Sequence, residues 1–227
     1  MITAELTHAN VVFTDRLRGE NTGPYESNNM GLFTGEDRAT VLRNIEAQRV
    51  AFELDELRLL HQVHGADLHE GGLPADAELP DADGLVTAHR GVGLLVTGAD
   101  CPPVAIASEN KLAMLHCGWR SLAAGIIERA IGALGEGRLE AAVGPGISQQ
   151  NYEVGEEVVR ALGEDAVAAF ASGHLSLQTV IKTKLRRGGV ERVFVAEDCT
   201  FADPERFYSY RRDGDPTGRQ AGIAWRS

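Results

Sequence analysis

The side chains of this sequence with the widest chemical reach are its thiols and imidazoles, and three of them stand where a site can form. Cys101 lies in the segment TGADCPPV, His116 ends the run LAMLH, and His64 sits in HQVHGADL. Thiolate and imidazole are favoured zinc ligands, and a catalytic zinc keeps three protein ligands and a fourth position open for water or substrate. Cys101 and His116 are fifteen positions apart, across a strand-turn-strand segment that can bring both strand ends to one edge of a sheet. His64, beside Gly65 at the end of its own run, is the best third ligand. His8, His69, His89 and His174 stand in loop or weakly patterned contexts.

Without a CxxC or HExxH signature, the same residues suit other chemistries. A cysteine with a histidine and an aspartate would suit a hydrolase, in which Cys101 attacks and His116 or His64 is the base. Two histidines, one cysteine and Met114 would suit a blue-copper centre. A multicopper oxidase needs many more histidine ligands than a chain with 7 can spare. Cys117, next to His116, points off the opposite face, and both it and Cys199 read as small packed residues.

These side chains need rigid elements to position them. Residues 91–97 and 112–115 are short, apolar and bounded by Gly, Pro, Asn and Lys, the pattern of interior strands. The first delivers Asp100 and Cys101 into a turn fixed by Pro102 and Pro103. The second delivers His116 into a turn at Gly118, ahead of a helix over 121–134. Residues 57–68 read as a strand with His61 and Val63 on one face and Gln62 and His64 on the other. Upstream, a strand from Ala9 leads to a turn-rich loop over 20–31, and a helix starts at Asp37 or Arg38 and runs to Phe52. The acidic stretch 70–84 reads as solvated loop before the strand LVT. Downstream come a strand over 139–147, helices over 154–170 and 175–185, a strand beginning VERVFV, and a final strand after the DGDPTG turn. Strands alternating with helices predict one domain over residues 1–227, an α/β layered sandwich with mixed sheets.

Composition narrows the function classes. A net charge of −11 on 227 residues argues against broad nucleic-acid or anionic-membrane binding, which needs clustered basic surface. No stretch has the length of a membrane span and the N-terminus lacks a signal-peptide pattern. Three cysteines make no disulfide framework and fit a reducing cytoplasm.

Five motifs, HQVHGADL, GADCPPV, HCGWRSLAAGI, GPGISQQNYEVGEEV and RFYSYRRDGDPTGRQAG, occur in this order, preceded by FTDR and SNNMGLFTGED. Together they resemble the YfiH-type laccase-domain family along essentially the whole chain. That family was long labelled polyphenol oxidase and is associated with purine nucleoside phosphorylase and adenosine deaminase activity. The resemblance implies a layered α/β fold related to cysteine hydrolases, and a zinc held by His64, Cys101 and His116. It implies small-molecule partners, purine nucleosides and phosphate. Asp100 and Arg120 fall on the family's neighbouring Asp and Arg positions. Asn29 matches an asparagine near the nucleoside pocket, where Arg16 is expected to join it. Copper is the alternative metal. This sequence departs from the family pattern at Cys117, Ser121 and Gly98, and at SNNMG, none of which removes a ligand. Competing readings are a copper-dependent phenol oxidase, a thiol hydrolase of amide bonds in cell-wall precursor editing, and a binding or assembly protein with a relic pocket.

Overall fold

The computed structural model describes residues 1–227. Strands β1 (Ile2–Leu6) and β2 (Ala9–Phe13) form a hairpin, and helix α1 (Arg38–Ala51) follows a long loop. Asp37 caps α1, its carboxylate accepting from the Thr40 N–H at 2.9 Å. Next come β3 (Glu56–Arg58), β4 (Leu68–Glu70), β5 (Gly84–Thr87), β6 (Val92–Gly98), β7 (Pro103–Ala107) and β8 (Leu112–His116). Helices α2 (Trp119–Ala123) and α3 (Ile126–Leu134) lead to β9 (Leu139–Val143) and α4 (Glu156–Leu162). The chain closes with the small hairpin β10 (Phe170–Ala171) and β11 (His174–Leu175), then α5 (Leu177–Arg187), β12 (Val190–Val195), α6 (Tyr210–Asp213) and β13 (Gln220–Arg226). No helix is long and apolar enough to cross a membrane.

Two mixed sheets stack face to face. One has the order β1-β2-β13-β6-β3 and the other β12-β9-β7-β8-β5-β4. The two-residue period of a strand explains the layering. In β6, Leu94 and Val96 turn into the space between the sheets, meeting Leu85, Leu112 and Met114, while Leu95 turns outward to pack with Val41 and Ile45 of α1. In β7, Ala105 faces the inter-sheet space, and Val104 and Ile106 face Leu122, Ile127, Val180 and Ile181 of the helices on the other side. The result is a helix-sheet-sheet-helix sandwich, the α/β class with mixed sheets that the sequence predicts.

The structure departs from the sequence reading in several places: the strand expected over 139–147 ends at Val143, and Asp83, expected in solvated loop, is fully buried. Residues 59–67 are not a strand. The run leaves the sheet after β3, and His64 adopts a left-handed backbone (φ 59°), so the face alternation expected for His61 to His64 does not exist. The helix expected over 121–134 is broken into α2 and α3 at Gly125, whose φ of 85° ends the first and starts the second. The helix expected over 154–170 ends at Leu162, where Gly163 turns the chain with φ 57°. Finally, Pro102 and Pro103 do not simply make a turn. Pro103 opens β7, a central strand, at the first position, where a missing N–H is tolerated.

Candidate active site

Three chain segments converge at one end of the six-stranded sheet. β7 and β8 pair antiparallel with Pro103 opposite His116, which sets Cys101 and His116 side by side at the strand ends. The segment after β3 brings His64 to the same point. Gln62 fastens that segment to β6: its side-chain amide donates to the Thr97 carbonyl at 2.8 Å, and its oxygen accepts from the Thr97 N–H at 2.8 Å and hydroxyl at 3.0 Å. A side chain thus imitates a strand neighbour that the irregular backbone does not supply. The donor atoms of His64, Cys101 and His116 all lie within 4.8 Å of one another, and the two imidazoles meet edge to face with centroids 4.8 Å apart.

Asp83 orders this group from behind. It is fully buried, at 0% exposure, and one carboxylate oxygen lies 2.8 Å from Nδ1 of His116. Its other oxygen accepts from the backbone N–H groups of Val63 at 3.1 Å and Gly65 at 2.6 Å, on either side of His64. One carboxylate therefore fixes both histidine segments. With Nδ1–H donated to Asp83, Nε2 of His116 is left as a lone pair for a metal or a proton. Burial pushes the Asp83 carboxyl up, but the His116 bond and the two N–H donors outweigh it and hold the group below the usual carboxylate range.

Burial also disfavours charge on Cys101 and His116, yet the two stabilise each other as thiolate and imidazolium. The Cys101 thiol comes down to about 6 beside His116, and the His116 imidazole rises to about 9 beside Cys101 and Asp83. Cys117 behaves differently: buried among apolar groups, its thiol is pushed well up and stays protonated. Gly118 matters for space, since a Cβ there would stand 3.1 Å from Cys101 Sγ and 3.4 Å from His64 Cδ2.

The trio opens into a cavity of about 570 Å³. Met30, Leu59, Leu60 and Leu95 supply apolar wall, Phe33, Trp119, Tyr152 and Tyr210 aromatic faces, and Arg120, Arg211 and Arg219 positive charge. Phe33 packs on the His61 ring at 4.3 Å. Burial pushes the Tyr152 hydroxyl up to about 12, so it remains a neutral donor.

The remaining residues singled out in the sequence are placed unequally. Arg120 and Asp100 line the cavity, Arg120 exposed and resting 4.3 Å over the Trp119 ring. Both oxygens of Asp100 are engaged, with the Thr200 hydroxyl at 2.7 Å and the Arg211 N–H at 2.7 Å, so it holds the N-terminus of α6 rather than offering a free carboxylate. Asn29 is fully buried with its side chain turned inward. Its oxygen accepts from the N–H groups of Gly31 and Arg219, both at 2.9 Å, and its amide donates to the Thr34 hydroxyl at 3.0 Å. The Asn29 side chain therefore ties the loop at Gly31 and Thr34 to the backbone of Arg219. Arg16 also lies outside the cavity. Its Nε donates to the Glu26 carbonyl at 2.7 Å, a terminal nitrogen to Pro204 at 3.0 Å, and it lies over the Tyr208 ring. Cys199 accepts from the Ser148 N–H at 3.3 Å and the Asn151 amide at 3.4 Å, away from the trio. Sequence reasoning missed Asp83, Gln62, Arg211 and Arg219. The signal for the first two was their adjacency to the strand LVT and to His64.

A family model described as multi-copper polyphenol oxidoreductase laccase matches residues 10–227. This chain is a member of that laccase family. Among relatives of the laccase-family chain, a Streptomyces coelicolor protein named purine nucleoside phosphorylase is 35% identical, the match covering 94% of this chain and 93% of the relative. A Mycobacterium tuberculosis protein of the same name is 36% identical over 94% of this chain and 90% of its own length. The crystal structure of a Neisseria meningitidis protein superposes with a TM-score of 0.91 at 32% identity, covering 100% of this chain and 98% of that one. YlmD from Geobacillus stearothermophilus gives 0.85 at 29% identity, covering 97% and 92%. The laccase-family fold here brings together one metal-capable group, two imidazoles and a cysteine sulfur. That donor set fits a tetrahedral zinc with an open position, and it equally fits copper.

Proposed function

We propose that this chain is a metal-dependent purine nucleoside phosphorylase. It cleaves adenosine, inosine or methylthioadenosine with phosphate to the free base and the (methylthio)ribose 1-phosphate, and it also deaminates adenosine to inosine. The observation that carries the reading is the His64–Cys101–His116 donor group opening into a cavity of about 570 Å³, roomy enough for a nucleoside together with phosphate. The names of the relatives point the same way. The substrates are small molecules, and neither nucleic acid nor membrane enters the scheme. The cytoplasm is the compartment that this reading assigns.

We take the metal to be zinc, with copper as the alternative, and His64, Cys101 and His116 as its ligands. Bound there, such an ion supplies Lewis-acid stabilisation of developing negative charge and eases ionisation of water. The chain's own residues do the rest. Asp83 keeps the His116 ring in one tautomer and one orientation. Trp119, Tyr152 and the apolar wall offer stacking surface for a purine and exclude water around it. Tyr152, held neutral, donates a hydrogen bond, and Arg120 offers charge to an anionic oxygen.

The test is metal analysis of purified protein with turnover of adenosine, inosine and methylthioadenosine, with and without phosphate, before and after chelation. Near-stoichiometric zinc with phosphate-dependent, chelation-sensitive release of free base is the expected result, and inosine formed from adenosine marks the deaminase. Zinc-loaded protein inert toward all three nucleosides overturns the reading.

One observation favours a second reading. Asp83, His116 and Cys101 also form the carboxylate-imidazole-thiolate relay of a thiol hydrolase, with the thiolate already favoured. Amide hydrolysis that survives chelation and is lost on thiol alkylation would establish it.

A further inference from the structure

In a chain of net charge −11, cations left without carboxylate partners are informative. Arg120, Arg211 and Arg219 all face the cavity, and each is held by something that does not neutralise it. Arg211 donates from one terminal nitrogen to the Glu153 carbonyl at 2.9 Å and lies 5.0 Å over the Tyr152 ring. Arg219 donates from one terminal nitrogen to the Thr217 and Gly218 carbonyls, both at 2.8 Å, with the Tyr210 ring 5.8 Å away. Arg120 rests on Trp119. Elsewhere in the fold, Arg206 and Arg212 meet Asp198 and Asp213 at 2.7 Å, and Arg16, Arg38 and Arg226 are held by carbonyls as the cavity arginines are; what sets Arg120, Arg211 and Arg219 apart is that they converge on one cavity. Carbonyls and ring faces aim the three cavity guanidiniums while leaving their charge and most of their N–H groups available.

The backbones of two of them are pinned by buried side chains. Asp100 accepts the Arg211 N–H at 2.7 Å, and Asn29 accepts the Arg219 N–H at 2.9 Å. This gives a role to two residues that the sequence singled out: Asp100, on the cavity wall with both oxygens engaged, and Asn29, buried behind it. Burial holds Arg219 below its ordinary range, against the opposing fields of Asp215, Cys101 and Asp100. A desolvated guanidinium without an ion pair is costly, and an anionic ligand removes that cost.

We propose that Arg120, Arg211 and Arg219 form a subsite for a tetrahedral oxyanion in the same cavity as the donor trio, with inorganic phosphate as the occupant. Guanidinium forks match phosphate oxygens in geometry as well as charge. That the anion is the co-substrate rests on the phosphorolysis reading; the subsite itself does not. The 5′-phosphate of a nucleotide presents the same chemistry, so the test separates the two.

The experiment uses purified protein and the variants Arg219→Gln, Arg211→Gln and Arg120→Gln, each checked for metal content and thermal melting. Calorimetric titration with inorganic phosphate and with AMP is run beside the phosphate dependence of adenosine cleavage. Loss of one charge-assisted contact is expected to weaken phosphate binding and raise its KM about 10- to 100-fold in each variant, with metal content unchanged. If Arg219→Gln fails to fold, Arg120→Gln, an exposed side chain that holds nothing but a ring face, carries the test. Phosphate affinity equal in wild type and variants overturns the subsite. So does arginine-dependent binding of AMP by protein that does not bind phosphate, which would make the occupant a nucleotide. Arginine-dependent phosphate binding in a protein that cleaves no nucleoside keeps the subsite and removes the phosphorylase. Phosphate-dependent cleavage with an unchanged KM in every variant does the reverse.

Discussion

Replacing Asp83 with asparagine tests the site through a residue that is not one of the ligands. All three partners of the carboxylate are donors: His116 Nδ1–H at 2.8 Å on one oxygen, and the Val63 and Gly65 N–H groups at 3.1 and 2.6 Å on the other. An amide has one oxygen, so it satisfies the backbone pair or the imidazole and not both. If the oxygen keeps the two backbone donors, the NH₂ faces His116 and selects the tautomer with Nε2 protonated, which cannot ligate a metal. If the oxygen turns to His116, the loop that carries His64 loses its anchor. Either way one histidine is compromised, and the expected loss in metal affinity is about 10- to 100-fold, or about 1.4 to 2.8 kcal/mol. The metal-free variant should also lose about 1.5 to 3 kcal/mol of fold stability from the broken charge-assisted bonds. Competition against a chromophoric chelator measures the first quantity and denaturant unfolding of chelated protein the second. Wild-type affinity in a folded Asp83→Asn protein would refute the claim that this carboxylate sets the tautomer.

Gly118→Ala places a methyl 3.1 Å from Cys101 Sγ and 3.4 Å from His64 Cδ2, so metal content by mass spectrometry should fall while far-UV circular dichroism stays that of the wild type. In chelated protein, Cys101 should be alkylated with a midpoint near pH 6, because its thiolate is held beside the His116 imidazolium. Reaction is slow below that pH, where the thiol is protonated, and levels off above it. His116→Ala removes the imidazolium and should move the midpoint up in an iodoacetamide rate profile. Met114→Ala opens a cavity between the sheets, costing about 2 to 5 kcal/mol and lowering Tm by roughly 5 to 20 °C in calorimetry. The metal site of that variant should stay intact, since Met114 faces the inter-sheet core with Leu85 and Leu112 rather than the trio.

What was legible in the sequence was whatever local chemistry dictates. β6 and β8 announce themselves as apolar runs, and Cys101 and His116 stand where those runs meet turn residues. Asp37 announces the start of α1. Asp83 was not legible because it stands among acidic residues that look like solvated loop, and only the packing of residues 62–65 over β5 makes it a buried anchor. Arg211 and Arg219 were hidden for a related reason. A basic residue in a polar tail reads as exposed until the fold shows which wall it completes. The break at Gly125 and the left-handed turn at His64 are backbone choices that periodicity does not report.

The place of β13 bears on how the molecule is made. It lies between β2 and β6, pairing Ile223 with Val12 on one side and with Leu95 on the other. A ribosome that has synthesised everything through α6 therefore holds a sheet split down its middle, with two apolar strands presenting open edges to each other across an empty slot. Such edges invite pairing with another chain. Closure waits for residues 220–226, and contacts this distant in sequence form slowly. Released chains truncated before residue 220 should bind holding chaperones and aggregate, and released chains that include residues 220–226 should not.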